Sequence, residues 1–371
     1  MLSRAFRVPL RQNVTPFTKI VNPRLCLQKQ PFRGAATETK EVNITVREAL
    51  NQALDEELAR DPSVFVMGEE VARYNGAYKV SKGLYDKYGD KRIIDTPITE
   101  MGFTGLGVGA ALAGTRPVIE FMTFNFAMQG IDHIVNSAAK LRYMSGGKIN
   151  VPIVFRGPNG PPTSVGAQHS QDFAAWLASV PGLKVVVPWN CDDAKGLLKA
   201  AIRDDNPVCV LESELGYNET YALSPEAQDA DFTIPIGVAK IEREGGDVTL
   251  ISYGRQVGNC LKVAETLSSQ GIDVEVINLR SIRPLDVNTI ITSVRKTGRA
   301  VTVEEGWPQH GVGAEIIAQI NEHAFDYMDA PVERVAGCDV PMPYTKVLED
   351  VAMIHPDNIL RAVQKVANRG K

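Results

Sequence analysis

The sequence is poor in cysteine. It has five in 371 residues (Cys26, Cys191, Cys209, Cys260 and Cys338), far apart and without a CxxC pair. An odd, scattered set argues against a disulfide frame or a zinc knuckle and fits reduced thiols in a reducing compartment. No apolar run approaches the roughly 18 residues that a membrane span requires. Acid is missing from one stretch: residues 1–36 hold Arg4, Arg7, Arg11, Lys19, Arg24, Lys29 and Arg33, and the first acid is Glu38. The same stretch lacks the long apolar core of a secretory signal. Its Arg-rich, hydroxyl-bearing, acid-free composition is that of a mitochondrial presequence, addressing the chain to the matrix, with cleavage expected near Arg33–Ala36. A disordered basic arm or a plastid transit peptide is the alternative, although plastid peptides are richer in Ser and Thr. With those seven cations set aside, 33 basic residues face 44 acidic ones, a net charge of −11. A body that acidic does not offset phosphate repulsion, which argues against nucleic acid as a partner.

What is present is ordinary globular composition, 44% hydrophobic and 23% charged, at a length that implies two domains. Thr45 and Glu48 have capping-box spacing, and Leu50, Leu54 and Leu58 follow on one helical face. Apolar runs at 64–67, 92–95, 117–121, 151–155, 183–187 and 208–212 read as buried strands. Helical patterns at 99–113, 124–143, 171–179 and 192–203 lie between several of them. Such alternation predicts a mostly parallel sheet covered on both faces. Residues 218–236 are polar and aperiodic and read as a linker. Alternation resumes with strands at 247–252, 274–279 and 300–305 and helices at 255–270, 286–296, 312–324 and 356–368. The expected fold class is α/β, with two open, mostly parallel-sheet domains at 40–217 and 237–371.

Three places stand out chemically. In DTPITEMGFTGLGVGAALAG (95–114), five glycines fall in the thirteen positions 102–114. Each costs about 1 kcal/mol against Ala in a helix, so close packing of another helix or a cofactor is expected there. Gly105-x-Gly107-x-x-Ala110 imitates a dinucleotide fingerprint, but its strand ends ten residues too early and no ribose-binding acid stands at the right distance. Glu100 sits at a strand-to-helix junction, where open α/β sheets bind ligands; a plain first-turn acid favoured by the helix dipole is the other reading. The loop 157–170, GPNGPPTSVGAQHS, follows a strand and presents His169, either as an active-site wall or as a simple crossover. His310, in a Gly-flanked loop, is a second candidate. Phe121, Phe124 and Phe126 read more simply as core than as a stacking platform.

The motifs DTPITEMGF (95–103), EFMTFNFAMQGIDHIVNSAAK (120–140), the GPNG…GAQHSQ loop, PGLKVVVPWN (181–190), LRSIRPLD (279–286) and EEGWPQHGVGAEI (304–316) together resemble the beta subunits of pyruvate dehydrogenase, in the transketolase-like thiamine-diphosphate group. The likeness runs over 42–370 and implies a pyrimidine-binding domain followed by a transketolase C-terminal domain. It implies that Glu100 hydrogen-bonds the pyrimidine ring of thiamine diphosphate, favouring the imino tautomer from which the cofactor is activated. It also implies that Phe126 stacks on that ring and that Ile98 and Met122 line it. His169 matches a histidine beside the reacting carbon, suited to proton transfer. Ile153, Ala201, Ile202, Asp204 and Asn206 match a potassium loop built mainly of carbonyl oxygens, which suits a hard cation.

The GDG motif that binds a divalent metal and the diphosphate is absent; the nearest triplet, GGD at 245–247, opens a strand. The resemblance therefore implies half a site. An alpha subunit would supply the diphosphate half and magnesium within an alpha-2 beta-2 heterotetramer. The product would pass to the lipoyl domain of a dihydrolipoyl acetyltransferase core. A beta subunit of the branched-chain 2-oxo-acid enzyme and a non-catalytic assembly subunit are the alternatives; an intact Glu100 speaks against the second.

Overall fold

The structure, a computed structural model, describes residues 42–367; the expected presequence lies outside them. Seven strands form the first sheet. In chain order they are β2 (Val64–Gly68), β3 (Ile93–Asp95), β4 (Arg116–Glu120), β5 (Val154–Asn159), β6 (Lys184–Val186), β7 (Val208–Ser213) and β12 (Ser281–Arg283). Their spatial order is β12-β6-β7-β5-β4-β2-β3, and all pairings are parallel except β12 with β6. The second sheet has β9 (Lys240–Arg243), β10 (Val248–Ser252), β11 (Val274–Asn278), β13 (Ala300–Val303) and β14 (Glu333–Val335), in the order β14-β13-β10-β11-β9. Only its edge strand β9 is antiparallel. A small ribbon pairs β1 (Val42–Thr45) with β8 (Thr220–Leu223). The expected α/β class with two mostly parallel sheets is what forms.

Alternation within the strands sorts the core. On the first sheet Val64, Val66, Val118, Val154, Val208 and Val210 face the helices Val46–Arg60 and Cys191–Arg203. Their neighbours Met67, Ile119, Phe155, Cys209 and Leu211 face the other way, into one apolar layer shared with Ile251, Ile277, Ile290, Ile316 and Ile320 of the second sheet and its helices. Burying both faces explains why these strands read as continuous apolar runs. Thr45 and Glu48 form the expected capping box, Thr45 Oγ1 accepting from Glu48 N–H (3.2 Å) and Glu48 accepting from Thr45 N–H (2.8 Å).

Two expectations are modified. The polar stretch 218–236 contains β8, a short strand that needs β1 as its partner and shows no internal period. The stretch expected as one helix over 124–143 is a 3-10 turn at Phe124–Gly130, a π turn at His133–Ala138 and an α turn at Ala139–Met144. It is shaped by what it packs on. A Cβ on Gly130 would stand 2.6 Å from Thr104 Oγ1, and one on Gly105 would stand 3.0 Å from His133 Nε2. Gly105 of the Glu100–Leu112 helix and Gly130 of the wound segment thus let the two press together, while Gly107 lets the helix approach Ile119 and Ile153 of the sheet side.

Candidate active site

Five strands of the first sheet deliver polar groups at their carboxyl ends. Glu69 follows β2, Glu100 follows β3 by a four-residue turn, Glu120 ends β4, the His169 loop follows β5, and Glu214 follows β7. Carboxyl ends of parallel strands are where open α/β sheets hold ligands. The turn before Glu100 is pinned. Thr96 N–H donates to Gly68 O (3.0 Å), and Asp95 accepts from Ala72 N–H (2.7 Å). Glu100 then opens its helix, where the exposed N–H groups favour a negative charge. Its side chain is 4% exposed, and among the described residues no group donates a hydrogen bond to its carboxylate. Glu69 lies close by, also buried, with Oε1 unpartnered. Burial, and then the Glu100 carboxylate, push Glu69 above the usual carboxylate range. A buried carboxyl oxygen without a partner is costly, and the one on Glu69 points to a polar ligand that completes it.

The Phe126 ring meets the His169 ring edge-on, centroids 5.1 Å apart and planes at 85°. Their segments are stitched together. Asn125 Oδ1 accepts from both the backbone N–H of Gln171 (3.1 Å) and its side-chain amide (3.2 Å). His169 also faces Glu214, which accepts from Tyr78 OH (2.9 Å); burial raises the Glu214 pKa, and Tyr78 and His169 pull it down. Met122 is half-buried just past β4. Ile98 is 85% exposed, and so, to a lesser degree, are Met101 and Leu106 of the adjoining helix. Ile98, Glu100, Met122, Phe126 and His169 therefore share one end of one sheet, and that end is open and apolar at its rim.

Below the site lies a buried charge network that sequence reasoning did not assign. Arg156, in mid-β5 and 1% exposed, donates through Nε to Glu212 Oε1 (2.7 Å), pairs with Glu212 Oε2 through Nη2, and pairs with Glu120 through Nη1. Tyr217 OH donates to Glu212 (2.7 Å). Burial alone would discharge Arg156, but its two carboxylates hold the guanidinium charged. The network cross-links β4, β5 and β7 under the residues above. Its signal in the sequence is visible: apolar runs that end in Glu at 120 and 212.

The five residues expected to form a potassium loop are distributed between the end of the Cys191–Arg203 helix and the start of β5. The carbonyls of Ile202 and Asp204 accept from Arg116 Nη1 (3.1 and 3.0 Å), that of Ile153 from Val208 N–H (3.0 Å) and that of Ala201 from Asp204 N–H (3.3 Å). Asp204 Oδ1 accepts from the Asn206 backbone (2.9 Å) and side chain (2.8 Å), and Oδ2 pairs with Lys184. Each carbonyl keeps a second lone pair, so the donor type fits a hard cation, while Arg116 brings a positive charge to the same place. Among the described residues no cluster of three His, Cys, Asp or Glu side chains could hold a metal. His310 does not join the Glu100 site; it lines a cavity of 510 Å³ with Trp176, Trp307, Tyr253 and Glu304.

Comparison with known proteins agrees with this geometry. Residues 42–219 match the transketolase pyrimidine-binding domain and residues 237–359 the transketolase C-terminal domain. A solved split-gene transketolase, an inactive beta4 tetramer, superposes with a TM-score of 0.72 over 88% of this chain and 99% of its own, at 23% identity; that likeness concerns the fold. Fold and site together define a transketolase-type protein. The mitochondrial pyruvate dehydrogenase E1 beta subunit of Dictyostelium discoideum is 66% identical over 90% of this chain and 93% of its own length. The corresponding human protein is 61% identical over 92% and 95%, and the Arabidopsis thaliana beta-1 protein 63% over 91% and 93%. The chain belongs to the family of pyruvate dehydrogenase E1 beta subunits. Its relatives are named mitochondrial, and no described helix is long and apolar enough to cross a membrane.

Proposed function

We propose that this chain is the pyrimidine-binding half of a mitochondrial pyruvate dehydrogenase that uses thiamine diphosphate and works with an alpha subunit in an alpha-2 beta-2 heterotetramer. The carrying observation is Glu100, buried at the open end of the first sheet beside Glu69, whose buried Oε1 has no hydrogen-bond partner. When bound, the cofactor supplies the carbanion chemistry that releases carbon dioxide from pyruvate and carries the acetyl unit. This chain's residues bind and orient it. The Glu100 carboxylate would accept a hydrogen bond from a ring N–H, the Phe126 ring would cover the pyrimidine face, and Ile98 and Met122 would exclude water beside it. His169 holds a proton near the reacting carbon for transfer to the lipoyl group of the acyltransferase core.

Magnesium and the diphosphate belong, in this reading, to the alpha subunit. The missing GDG motif supports that, and the exposed apolar rim of Ile98, Met101 and Leu106 is the kind of surface a partner covers. Calorimetric titration of the purified chain with thiamine diphosphate and Mg²⁺ is expected to show no binding at micromolar cofactor. Adding the alpha subunit should produce both binding and pyruvate decarboxylation. Micromolar binding by this chain alone would refute the half-site.

We further propose that the carbonyls of Ile153, Ala201 and Ile202, with Asp204 and Asn206, hold potassium beside Arg116. Replacing KCl by LiCl at constant ionic strength is expected to lower the melting temperature of the heterotetramer. An Asp204→Asn variant should be indifferent to the exchange. Equal melting temperatures of the unmodified protein in both salts would remove the site.

A further inference from the structure

The loop that carries His169 leaves β5 and returns 11 residues later, its neck closed by Gly160 N–H donating to Gln171 O (3.0 Å). Within it the only ordered turn is Ala167–His169. Its internal bonds are few. Ser170 Oγ donates to Gly166 O (2.7 Å), and His169 N–H reaches the same carbonyl at 3.4 Å. Thr163, Val165, Ala167 and Gln168 are exposed. Ser164 sits at φ +57°, a left-handed conformation that costs a non-glycine residue about 1–2 kcal/mol. Nothing local selects that conformation.

The selection comes from the second domain. Glu349, on the short helix Lys346–Ala352, is 0% exposed, and its Oε1 accepts the Ser164 backbone N–H at 2.7 Å across 185 residues of chain. Its Oε2 is buried with no partner. Beside it the Tyr344 ring lies against Gly166, where a Cβ would stand 3.3 Å from Tyr344 Cδ2. A buried carboxylate with one oxygen unpaired is a cost that the helix itself does not require. A charge-assisted hydrogen bond to a strained backbone position is a strong, geometrically specific tether.

We propose that Glu349 is a positioning residue: it latches Ser164 in its left-handed conformation and so sets where the His169 imidazole stands. The role rests on the reading of His169 as the proton donor in acetyl transfer. It deepens that reading by placing the control of a first-domain loop in the second domain. Misplacing a reacting group by about 1 Å through a remote change can cost up to about a hundredfold. Glu349→Gln keeps an acceptor for the Ser164 N–H, whereas Glu349→Leu keeps the volume and removes it.

The experiment uses the reconstituted heterotetramer and three readouts. Amide hydrogen exchange over 161–170 is expected to speed up at least tenfold in Glu349→Leu and to stay within about twofold in Glu349→Gln. Acetyl transfer to the lipoyl domain should fall about ten- to a hundredfold in kcat for Glu349→Leu, with decarboxylation to an artificial acceptor within about twofold. In a His169→Ala background Glu349→Leu should cause no further loss of transfer. Unchanged exchange in Glu349→Leu, or equal behaviour of the Gln and Leu variants, overturns the latch. Exchange that speeds up while His169→Ala leaves transfer intact upholds the latch and sinks the histidine reading instead. Should Glu349→Leu not assemble, Glu349→Asp keeps the charge but falls one methylene short, and the same faster exchange is expected of it; unchanged exchange there overturns the latch equally.

Discussion

Glu100→Gln is expected to abolish pyruvate turnover while the heterotetramer still assembles. Glutamine matches glutamate in shape, and the side chain is buried at the mouth of its helix, so packing is preserved. What is lost is charge. A carboxylate accepts only, and it draws a proton onto the ring nitrogen facing it; a neutral amide does so far less and also presents an NH₂ group that repels any N–H brought to it. Removing a positioned acid or base costs about a hundredfold to ten-thousandfold, and the upper end is expected because no other side chain of the Glu100 turn can substitute. Glu69, the nearest candidate, is held toward its neutral form by burial and by Glu100 itself. Initial rates together with gel filtration make the measurement. Near-normal turnover with cofactor bound would remove Glu100 from the mechanism.

The second large effect is expected at His169. Transfer of the two-carbon unit to a dithiolane opens the S–S bond: the electron pair that decarboxylation leaves on that unit reduces the disulfide as the unit becomes acetyl, one sulfur takes the acetyl, and the other leaves as a thiolate that needs a proton. An imidazole, which can both hold and release a proton, suits that delivery. Decarboxylation asks mainly for the bound cofactor and a dry pocket. His169→Ala should therefore lower acetyl transfer about a hundredfold to ten-thousandfold while decarboxylation with an artificial electron acceptor falls much less. Both rates are measured on one preparation. The edge-on contact with Phe126 supplies the competing outcome, since deleting the imidazole also removes a wall of the Phe126 ring. If the two rates fall by the same factor, His169 positions and the proton-donor role is wrong.

The parts legible in the sequence were those with local causes. The capping box at Thr45 and Glu48, the Leu50–Leu54–Leu58 stripe and the apolar runs of β2, β4, β5, β7, β10 and β11 each announce themselves within a few residues. The parts that were missed depend on partners distant in sequence. TYAL becomes β8 only because β1 lies beside it, and the three residues of β12 become a strand only against β6. The winding of 124–144 answers to Thr104 and to the glycine facing His133, and neither shows in its own periodicity. In the site, Glu100 and His169 emerged through motif resemblance, which position alone left undecided. Glu69 and Glu214 were passed over because a lone acid after a strand looks like an ordinary solvated end. Only the fold reveals that all of these strands end on the same side.

The placement of β12 has a consequence for how the molecule comes into being. The edge strand of the first sheet is supplied by residues 281–283, about a hundred positions after the β6 segment it pairs with. Long-range pairings of this kind are slow to form, and domains generally fold as units from the N-terminus. Here the N-terminal unit cannot finish on its own. Until the chain has emerged well past its middle, β6 presents a bare row of backbone donors and acceptors that another strand could capture. A chain stopped short of residue 281 would keep that open edge for good.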